Sequence, residues 1–356
     1  MTFGINKGMI LAAGLGTRLL PLTENTPKPL VPILNIPGAL YALDFLKRLG
    51  ISDIILNTHH HAALLESFLG NGSPWDMRLS YSREPKLLGT GGGVGKASSF
   101  FAGAPFLLIN CDFISNFDVT HAVSNHLHGK ALATMVLFKD PQRAALYSTV
   151  GTDPAGTLRF LPTCHTGNYS QKGIFSGIHI LDAGVLKNIP DGPSAITETV
   201  YARGMKSTPD RMRGEYVPAG YWLDTGDLPS YIDTSFRLLD LLVAKDPSLT
   251  SFVETYGHLV ELAPSIWAKK GTELPKVRLT GPMIIGERVS VGSGAELGPY
   301  CVLGDRAKVA GGVHAERAIL LPDAVLEKDV KPDRGAVQLG ARLVEAPPLP
   351  PGPNEA

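Results

Sequence analysis

The spacing of apolar residues predicts an alternation of strands and helices over the first two thirds of the chain. Apolar runs with the length of buried strands lie at 8–13, 53–57, 77–82, 105–110 and 133–138. Helical spacing is found between them, at 38–49, 60–69, 93–102 and 118–128. Such alternation is typical of an α/β fold in which helices cover both faces of a mostly parallel sheet.

Two further apolar stretches, 148–161 and 173–181, follow without clear helical spacing between them. They predict an antiparallel addition beside the parallel sheet. Residues 230–245 then return to helical spacing. This helix is expected to close a first domain that covers residues 1–245.

A six-residue repeat begins after a poorly patterned stretch. An aliphatic residue followed by a small one recurs at Ile285, Val291, Leu297, Leu303 and Val309. A second series of small or aliphatic residues runs at Val289, Ala295, Cys301, Ala307, Val313, Ile319 and Val325. This period predicts one short strand per repeat, stacked as a β-helix with an inner aliphatic column. We therefore expect a linker at 246–280, a parallel β-helix at 281–340 and a disordered proline-rich tail at 341–356.

Composition and charge limit the partners of the chain. Hydrophobic residues make up 44% and charged residues 19% of the 356 residues, and the formal net charge is zero, so the basic surplus typical of nucleic-acid binding is missing. The apolar runs are too short to span a bilayer, and no basic-then-apolar leader precedes the first strand. Cys111, Cys164 and Cys301 are too widely spaced to suggest a disulfide framework or a zinc site. We expect a cytoplasmic protein with no nucleic-acid partner and no membrane partner.

The stretch LAAGLGTRLLPLTENTPKPLVP, residues 11–32, holds the first candidate chemistry. Gly14 and Gly16 directly follow the first predicted strand, so backbone N–H groups there can approach an anion closely. Arg18 can bind phosphate oxygens with its forked guanidinium, and Lys28 stands between two prolines that restrain its backbone. On these residues alone, a phosphate site and a tight turn with two surface cations are equally supported.

Two common phosphate-binding loops are excluded by residue type. The dinucleotide motif G-x-G-x-x-G needs a third glycine where this chain has Leu19. The stretch GTGGGVGKAS, residues 89–98, superficially resembles the ATPase loop G-x-x-x-x-G-K-[ST]. It has Thr90 in place of the first glycine and Ala97 in place of the metal-binding hydroxyl. A different phosphate site is therefore expected.

With Lys28 included, the opening stretch resembles the signature of the sugar-1-phosphate nucleotidyltransferases, in which a strand is followed by G-x-G-T-R and P-K-P-L-x-P. Later motifs that resemble the family are GTGGG at 89–93, INCDF at 109–113, FSGIHIL at 175–181 and GYWLDTGD at 220–227. The resemblance implies a Rossmann-like nucleotidyltransferase domain, and several family members also carry a left-handed β-helix. It implies that a sugar 1-phosphate oxygen attacks the α-phosphorus of a nucleoside triphosphate in line and that pyrophosphate leaves.

The resemblance also implies roles for individual residues. Asp112 and Asp224 match the two aspartates that hold Mg²⁺ in the family, and with Arg18 and Lys28 they would form the catalytic set. The residues implied for nucleotide binding are Leu11, Ala13, Gly14, Gly16, Thr17, Arg18, Gly89 and Thr90. The residues implied for sugar binding are Gly177, Glu198 and Lys172.

The chain departs from the family pattern at two places. Cys111 precedes Asp112 where many relatives have glycine. The E-K-P motif, whose lysine contacts the sugar phosphate in many relatives, is missing from FLPTCHTGNYSQKGIF at 160–175. Lys172 is the nearest cation and a candidate substitute, and an exposed loop lysine is the alternative interpretation.

The base and the sugar stay open at the level of the sequence. The linker and β-helix resemble those of mannose-1-phosphate guanylyltransferases, which slightly favours guanylyl transfer. TGGG with FSGI and no E-K-P motif is more similar to uridylyltransferases that act on N-acetylmuramate 1-phosphate or on another sugar 1-phosphate. A catalytically silent subunit that binds a nucleotide sugar is the alternative from another class. The presence of Arg18, Lys28, Asp112 and Asp224 favours an enzyme. Because a flat β-helix face offers a contact surface, we also expect a homo-oligomer.

Overall fold

The structure is a computed structural model of the chain and describes residues 4–331 and 335–346. Within these residues it contains an α/β domain, a three-sided β-helix and a folded segment between the two. No helix in these ranges is both long enough and apolar enough to cross a membrane.

The strands and helices of the α/β domain agree closely with the predicted ones. The strands that position the site are β1 (Lys7–Leu11), β2 (Asp53–Thr58), β3 (Arg78–Arg83), β4 (Phe106–Asn110), β5 (Phe113–Ser115), β6 (Ala133–Phe138), β7 (Thr149–Thr152), β8 (Leu158–Leu161), β9 (Gln171–Leu181), β10 (Met212–Tyr216) and β11 (Trp222–Asp224). The helices are α1 (Gly38–Arg48), α2 (Ala62–Leu69), α3 (Gly89–Lys96), α4 (Ser98–Phe101), α5 (Thr120–His128), α6 (Arg203–Ser207) and α7 (Leu228–Val243).

The main sheet is parallel on one side and antiparallel on the other. From β8 to β3 the strand order is β8-β7-β9-β4-β1-β2-β3, and β6 pairs with both β9 and β10. Strand β1 is parallel to β2 and β4, and β2 is parallel to β3. Strand β9 runs antiparallel to β4, β6 and β7, which confirms the predicted antiparallel addition. The carboxyl ends of β1, β2 and β4 meet at one edge, where open α/β sheets bind ligands.

Helix α3 begins earlier than its sequence predicts. The apolar spacing predicts a helix at 93–102, but α3 starts at Gly89, inside GTGGG. Glycine is a poor helix former, yet side chains have no room here. A Cβ on Gly89 would lie 2.7 Å from the Ser194 carbonyl oxygen, and one on Gly93 would lie 2.8 Å from the Asn57 Nδ2. Close packing against distant segments therefore overrides the local preference.

Residues 246–280, predicted as a linker, are folded. They hold helix α8 (Pro247–Gly257), whose N-cap Asp246 accepts a backbone N–H with its side chain. The antiparallel strands Leu259–Ala263 and Ile266–Lys269 follow. Apolar residues of α8 are buried in the same core as the α/β domain. The segment is thus a packed connection between the two domains.

As predicted, the hexapeptide region forms a parallel β-helix, and the structure shows that it has three faces. The first face stacks Ile266–Lys269, Met283–Ile285, Cys301–Leu303, Ala318–Leu320 and Ala336–Leu339. The second face stacks Ser290–Val291, Lys308–Val309 and Val325–Leu326. The third face stacks Arg278–Leu279, Glu296–Leu297 and His314–Ala315.

The proline-rich tail predicted at 341–356 is described only in part. Its first residues form the strand Arg342–Glu345, which pairs antiparallel with Ala336–Leu339. Residues 347–356 of the predicted tail lie outside the described residues.

One coil of the β-helix is a residue shorter than the coil before it. Met283 pairs with Cys301, 18 residues later, whereas Cys301 pairs with Ala318, 17 residues later. The third face still keeps a spacing of 18 up to Ala315. The missing residue therefore belongs to the corner between Ala315 and Ala318.

The short corner changes which residues face the inside of the β-helix. The second predicted series lies inside up to Val313. Beyond the corner, Ala318 and Ala324 take the inner positions, and Ile319 belongs instead to the core shared with the α/β domain. The six-residue period of aliphatic residues therefore continues in the sequence. Beyond the corner, however, the residues that face the interior lie one position earlier than this period predicts.

The β-helix packs against α7 through an outer apolar row on its first face. This row consists of Ile284, Val302, Ile319 and Val337. It shares a core with Ile232 and Phe236 of α7. The Tyr300 hydroxyl donates to Asp240 Oδ1 at 2.7 Å, also on α7. The two domains are therefore joined by buried apolar contacts as well as by polar ones.

Candidate active site

A pocket of about 330 Å³ opens at the carboxyl ends of β1, β2 and β4, and we call it the strand-end pocket. Its lining contains all the residues predicted for nucleotide binding, namely Leu11, Ala13, Gly14, Gly16, Thr17, Arg18, Gly89 and Thr90. Lys28 and Asp112 line the same pocket. The sheet topology thus brings together the opening stretch, GTGGG and the end of β4.

Gly16 makes the turn of the opening stretch in a left-handed backbone conformation, with φ at 68°. A Cβ at this position would lie 2.9 Å from the Thr23 Cγ2 and 3.2 Å from the Lys28 Cβ, so only glycine fits without movement. The buried Thr23 hydroxyl donates to the Gly16 carbonyl at 2.9 Å. This contact ties the turn to the segment that leads to Lys28.

Asn57, at the end of β2, connects three segments around the strand-end pocket. Its Oδ1 accepts the N–H of Ala12 at 2.8 Å, and its Nδ2 donates to Glu84 Oε1 at 2.8 Å. Glu84 Oε2 in turn accepts the N–H of Leu88 at 2.8 Å, just before α3. Asn57 and Glu84 are each 3% exposed. The network therefore holds the opening stretch and α3 at a set distance.

The sequence analysis missed both Asn57 and Glu84. Each follows an apolar run that predicts a strand, and this position at a strand end is the one signal in the sequence. A polar residue at such a place is common in any α/β protein, so the signal is weak.

Asp112 and Asp224 lie next to each other, as their pairing in the family implies. Strand β5 follows Asp112 and is antiparallel to β11, with Phe113 opposite Asp224. The N–H of Thr225 donates to the Asp112 carbonyl at 2.9 Å. The two carboxylates therefore come from chain segments that share one small sheet.

The two predicted cations differ in their surroundings. Lys28 Nζ lies 2.9 Å from Asp112 Oδ2, and the two side chains are 11% and 29% exposed. Because this ion pair is largely shielded from water, it is stronger than an ordinary surface pair. Arg18 is 66% exposed and 4.0 Å from Asp227. Arg18 therefore stands at the mouth of the pocket and Lys28 stands within it.

Asp224 accepts two hydrogen bonds from the chain itself. The Tyr147 hydroxyl donates to Oδ2 at 2.9 Å and the N–H of Gly226 donates to Oδ1 at 2.7 Å. Burial raises the pKa of Asp224 above its usual value, the Tyr147 hydrogen bond opposes the rise, and the charge of Asp112 adds to it. Burial and the neighbouring Asp224 raise the pKa of the Tyr147 phenol. Tyr147 therefore stays protonated and acts as a donor.

Cys111 lines the strand-end pocket beside these groups. Burial, with a smaller contribution from Asp112, raises the pKa of its thiol to about 12. A thiol that stays protonated at neutral pH is a poor nucleophile. Cys111 therefore fills the strand end without adding chemistry of its own.

The chemistry of Asp112 and Asp224 fits a divalent cation. Carboxylate oxygens are the ligands that Mg²⁺ prefers. The repulsion that Asp112 adds to the raised pKa of Asp224 is the repulsion that a cation between them would relieve. Within residues 4–331 and 335–346, no group of three or more His, Cys, Asp or Glu side chains is arranged to hold a metal.

A second cavity, of about 440 Å³, opens beside Asp224, and we call it the Tyr147 cavity. Its lining includes Arg143, Tyr147, Asp224, Arg237 and Arg317. The first two belong to the loop after β6, Arg237 belongs to α7, and Arg317 belongs to the short corner of the β-helix. Both domains therefore contribute to a cavity that borders a predicted catalytic carboxylate.

The three residues predicted for sugar binding lie outside the linings of both cavities. Gly177, in β9 with φ at 82°, would bring a Cβ to 3.2 Å from Asn110 Nδ2, so it lies next to the end of β4. Glu198 is exposed and belongs to the π-helix Thr197–Ala202. Lys172 is exposed, and its charged nitrogen lies 5.3 Å from the centre of the Tyr169 ring.

Comparison with known proteins identifies the family. A model of the nucleotidyl transferase family matches residues 7–240. The mannose-1-phosphate guanylyltransferase of Mycobacterium tuberculosis is 28% identical over 316 residues, which cover 88% of this chain and 82% of that protein. The N-acetylmuramate α-1-phosphate uridylyltransferase of Neisseria meningitidis serogroup B is 32% identical over 226 residues, which cover 62% of this chain and 93% of that protein.

A solved structure supports the fold of the α/β domain. It is a crystal structure of a protein from Bacillus anthracis assigned as a glucose-1-phosphate thymidylyltransferase, with a TM-score of 0.55 and 24% identity over 65% of this chain and 94% of that one. The family model and the curated relatives confirm the resemblance predicted from the opening stretch. The chain therefore belongs to the nucleotidyl transferase family and is a nucleotidyltransferase.

Proposed function

We propose that the chain transfers a guanylyl group from GTP to mannose 1-phosphate and releases pyrophosphate. The observation that carries this proposal is the similarity to a mannose-1-phosphate guanylyltransferase over 88% of the chain, which includes most of the β-helix as well as the α/β domain. The coarser activity, nucleotidyl transfer to a sugar 1-phosphate, is common to the two curated relatives described above.

In this proposal the strand-end pocket holds the nucleoside triphosphate. Backbone N–H groups around Gly14 and Gly16 bind phosphate oxygens, as glycine turns after a strand allow. Arg18 binds phosphate from the mouth of the pocket. Lys28 exchanges its ion pair with Asp112 for the triphosphate and thereby neutralises part of the charge that two reacting anions bring together. Leu11, Ala13, Gly89 and Thr90 then surround the base.

The family uses a divalent cation, and we propose that Asp112 and Asp224 hold Mg²⁺. When bound there, the ion would neutralise negative charge on the phosphates and orient them. Tyr147 keeps Asp224 in place through its hydrogen bond. The role of the chain's own groups is therefore positioning and charge neutralisation, which is what an in-line phosphoryl transfer needs most.

The acceptor sugar is proposed to lie on the side of Gly177 and Glu198. Gly177 brings its backbone close to Asn110 and Phe113, where an added Cβ would lie 3.2 Å from an atom of each, and an exposed carboxylate such as Glu198 can accept sugar hydroxyls. We also propose that the chain is a cytoplasmic homo-oligomer, and sedimentation of the purified protein tests its state of association.

A second candidate is uridylyl transfer to N-acetylmuramate 1-phosphate. It is favoured by the higher identity, 32%, to a relative with this activity over 62% of the chain. A catalytically silent subunit is disfavoured because Arg18, Lys28, Asp112 and Asp224 are all present and two of them form a shielded ion pair.

Pyrophosphate release tests these alternatives directly. The full chain is assayed with ATP, GTP, UTP and dTTP, each against mannose, glucose and N-acetylmuramate 1-phosphates, with MgCl₂. GTP with mannose 1-phosphate is expected to react fastest, and faster turnover of UTP with N-acetylmuramate 1-phosphate would move the assignment to the second candidate. Absence of turnover with every one of these pairs would contradict the assignment of the chain as an enzyme.

Two variants test the proposal that Asp112 and Asp224 hold the divalent cation. Asp112→Asn and Asp224→Asn should each lower kcat by about a hundredfold or more, because each removes a charged ligand. Asp76→Asn is a matched control, since Asp76 is 89% exposed and pairs with Lys47. Unchanged turnover in both site variants would show that these aspartates do not hold the cation.

A further inference from the structure

The phosphate group of a sugar 1-phosphate needs a cationic contact in the proposed acceptor half of the site. The family motif that supplies a lysine for this phosphate is missing from the chain. Lys28 and Arg18 both line the strand-end pocket, where the triphosphate is proposed to bind. We propose that Arg143 binds the phosphate group of the sugar 1-phosphate, an inference that rests on the proposed sugar-1-phosphate activity.

Arg143 is held beside β11 by contacts at two of its guanidinium nitrogens. Its Nη1 donates to the carbonyl of Trp222, two residues before Asp224. Its Nε lies 3.5 Å from Asp140 Oδ2, and the side chain is 17% exposed. Among the residues that the structure describes, Nη2 has no hydrogen-bond partner. The guanidinium is therefore positioned in advance, with donor capacity left for an anion in the Tyr147 cavity.

The loop that carries Arg143 also reaches the catalytic carboxylate. Asp140 Oδ1 accepts the backbone N–H groups of Gln142 and Arg143 at 3.1 and 3.0 Å, which starts a short helical turn. Four residues after Arg143, the Tyr147 hydroxyl donates to Asp224. One loop thus brings a cation and a hydrogen-bond donor to the same side of Asp224.

The side of Asp224 that Arg143 occupies is the side proposed for the sugar. The indole N–H of Trp222 donates to the Ser176 carbonyl at 2.8 Å, next to Gly177. The Trp222 carbonyl accepts from Arg143. Trp222 is therefore in contact with both the proposed sugar face and the proposed phosphate contact.

Lys172 is less suited to this role. Its charged nitrogen lies over the rings of Phe160 and Tyr169, at 5.5 and 5.3 Å from their centres. It lines a different cavity, together with Lys139. Asp224 is not part of the lining of that cavity.

The other two arginines of the Tyr147 cavity contact side chains of α7 and of the β-helix. Arg237 Nε lies 2.7 Å from Asp233 Oδ2, which neutralises it on the surface of α7. Arg317 stacks on the rings of Phe236 and Tyr300, at 4.6 and 5.5 Å. Arg143 is the arginine of this cavity that bonds to the strand carrying Asp224.

The test compares Arg143→Gln and Arg143→Lys with the unchanged chain in the pyrophosphate-release assay, using the nucleotide and sugar pair with the fastest turnover. Arg143→Gln should raise the KM for the sugar 1-phosphate by about tenfold to a hundredfold, the range for loss of a charge-assisted contact. The KM for the nucleoside triphosphate should stay within about twofold. Arg143→Lys should give an intermediate KM, because lysine keeps the charge but not the forked geometry.

Three further measurements make the outcome decisive. Arg78→Gln is the matched control, since Arg78 is 74% exposed on the edge strand β3. Thermal unfolding checks that the Arg143 variants stay folded, and a small fall in Tm is expected because Arg143→Gln also removes the bond to the Trp222 carbonyl. A purely structural role would change both KM values together, and that result would overturn the proposal. A raised sugar-phosphate KM in Lys172→Gln with none in Arg143→Gln would also overturn it. Absence of turnover in the unchanged chain would overturn the proposed function itself, and this inference with it.

Discussion

Substitution of Asn57 tests whether the buried network under the opening stretch shapes the strand-end pocket. Asn57→Ala leaves the N–H of Ala12 and one oxygen of Glu84 without their partner at a position that is 3% exposed. Each unsatisfied buried group costs about 1–3 kcal/mol, so the unfolding free energy should fall by about 2–4 kcal/mol. In a domain of this size the Tm should then fall by about 5–15 °C.

Asn57→Asp adds a pH dependence with a defined sign. It keeps an acceptor for Ala12 but places a second carboxyl beside Glu84, and repulsion between buried carboxyls raises their pKa in the folded state. The folded state then binds a proton more tightly than the unfolded state, whose carboxyls titrate near pH 4. The stability penalty is therefore absent below about pH 4 and grows as the pH rises through the raised folded-state pKa. The Tm of Asn57→Asp should be closer to the Tm of the unchanged chain at pH 5 than at pH 8.

The assay is thermal unfolding followed by circular dichroism at pH 5 and pH 8, with nucleotide affinity measured by calorimetry. Asn71→Ala is the matched control, because Asn71 is exposed and makes one local hydrogen bond. Asn57→Ala should lose similar stability at both pH values and should bind the nucleotide more weakly. A Tm within about 1 °C of the unchanged chain, with unchanged nucleotide affinity, would refute the role assigned to this network.

Three other changes test separate contacts. Tyr147→Phe removes the donor to Asp224 and should lower kcat by about fivefold in the pyrophosphate assay with little change in Tm, and an unchanged kcat would contradict a positioning role. His179 is buried with a pKa of about 3. Below about pH 6.5 the unfolded state therefore takes up a proton that the folded state does not, and the unfolding free energy should fall by up to about 1.4 kcal/mol per pH unit from this group. His179→Gln should reduce that slope in urea titrations between pH 6.5 and pH 4. Gly91→Ala puts a Cβ 2.7 Å from the Ser194 hydroxyl oxygen and should cost about 1–3 kcal/mol of unfolding free energy, partly recovered in combination with Ser194→Ala.

Elements that depend on local pattern could be predicted from the sequence, and elements that depend on distant packing could not. Strands β1, β2 and β4 are buried on both faces, so each appears in the sequence as a continuous apolar run. Helix α3 starts in a run of glycines that local propensity assigns to a loop. It forms because Ser194 and Asn57, which are far away in the sequence, pack directly on those glycines.

The residues of the candidate site also fall into those that a local motif reveals and those that only spatial contacts reveal. The opening stretch and the aspartates Asp112 and Asp224 lie in motifs that are recognisable residue by residue. Asn57 has no motif, and its importance comes from partners on two other segments. Lys172 is the nearest cation to the missing motif along the sequence, whereas Arg143 is the one bonded to β11 in space. Proximity along the chain is a poor guide wherever an antiparallel addition folds back over a sheet.

The short corner between Ala315 and Ala318 has a consequence for anyone who aligns or engineers this chain. An alignment of the repeats at strict six-residue spacing would misassign the strand positions after the corner. It would place the interior residue Ala318 outside and the exterior residue Ile319 inside. Insertion of one residue there would restore a uniform spacing of 18 residues, and it would leave Ala318 opposite Cys301 and Ile319 in the row that contacts α7. The attachment of the β-helix to the catalytic domain thus depends on the strand register beyond the corner and not on the length of the corner, so the corner should tolerate an added residue.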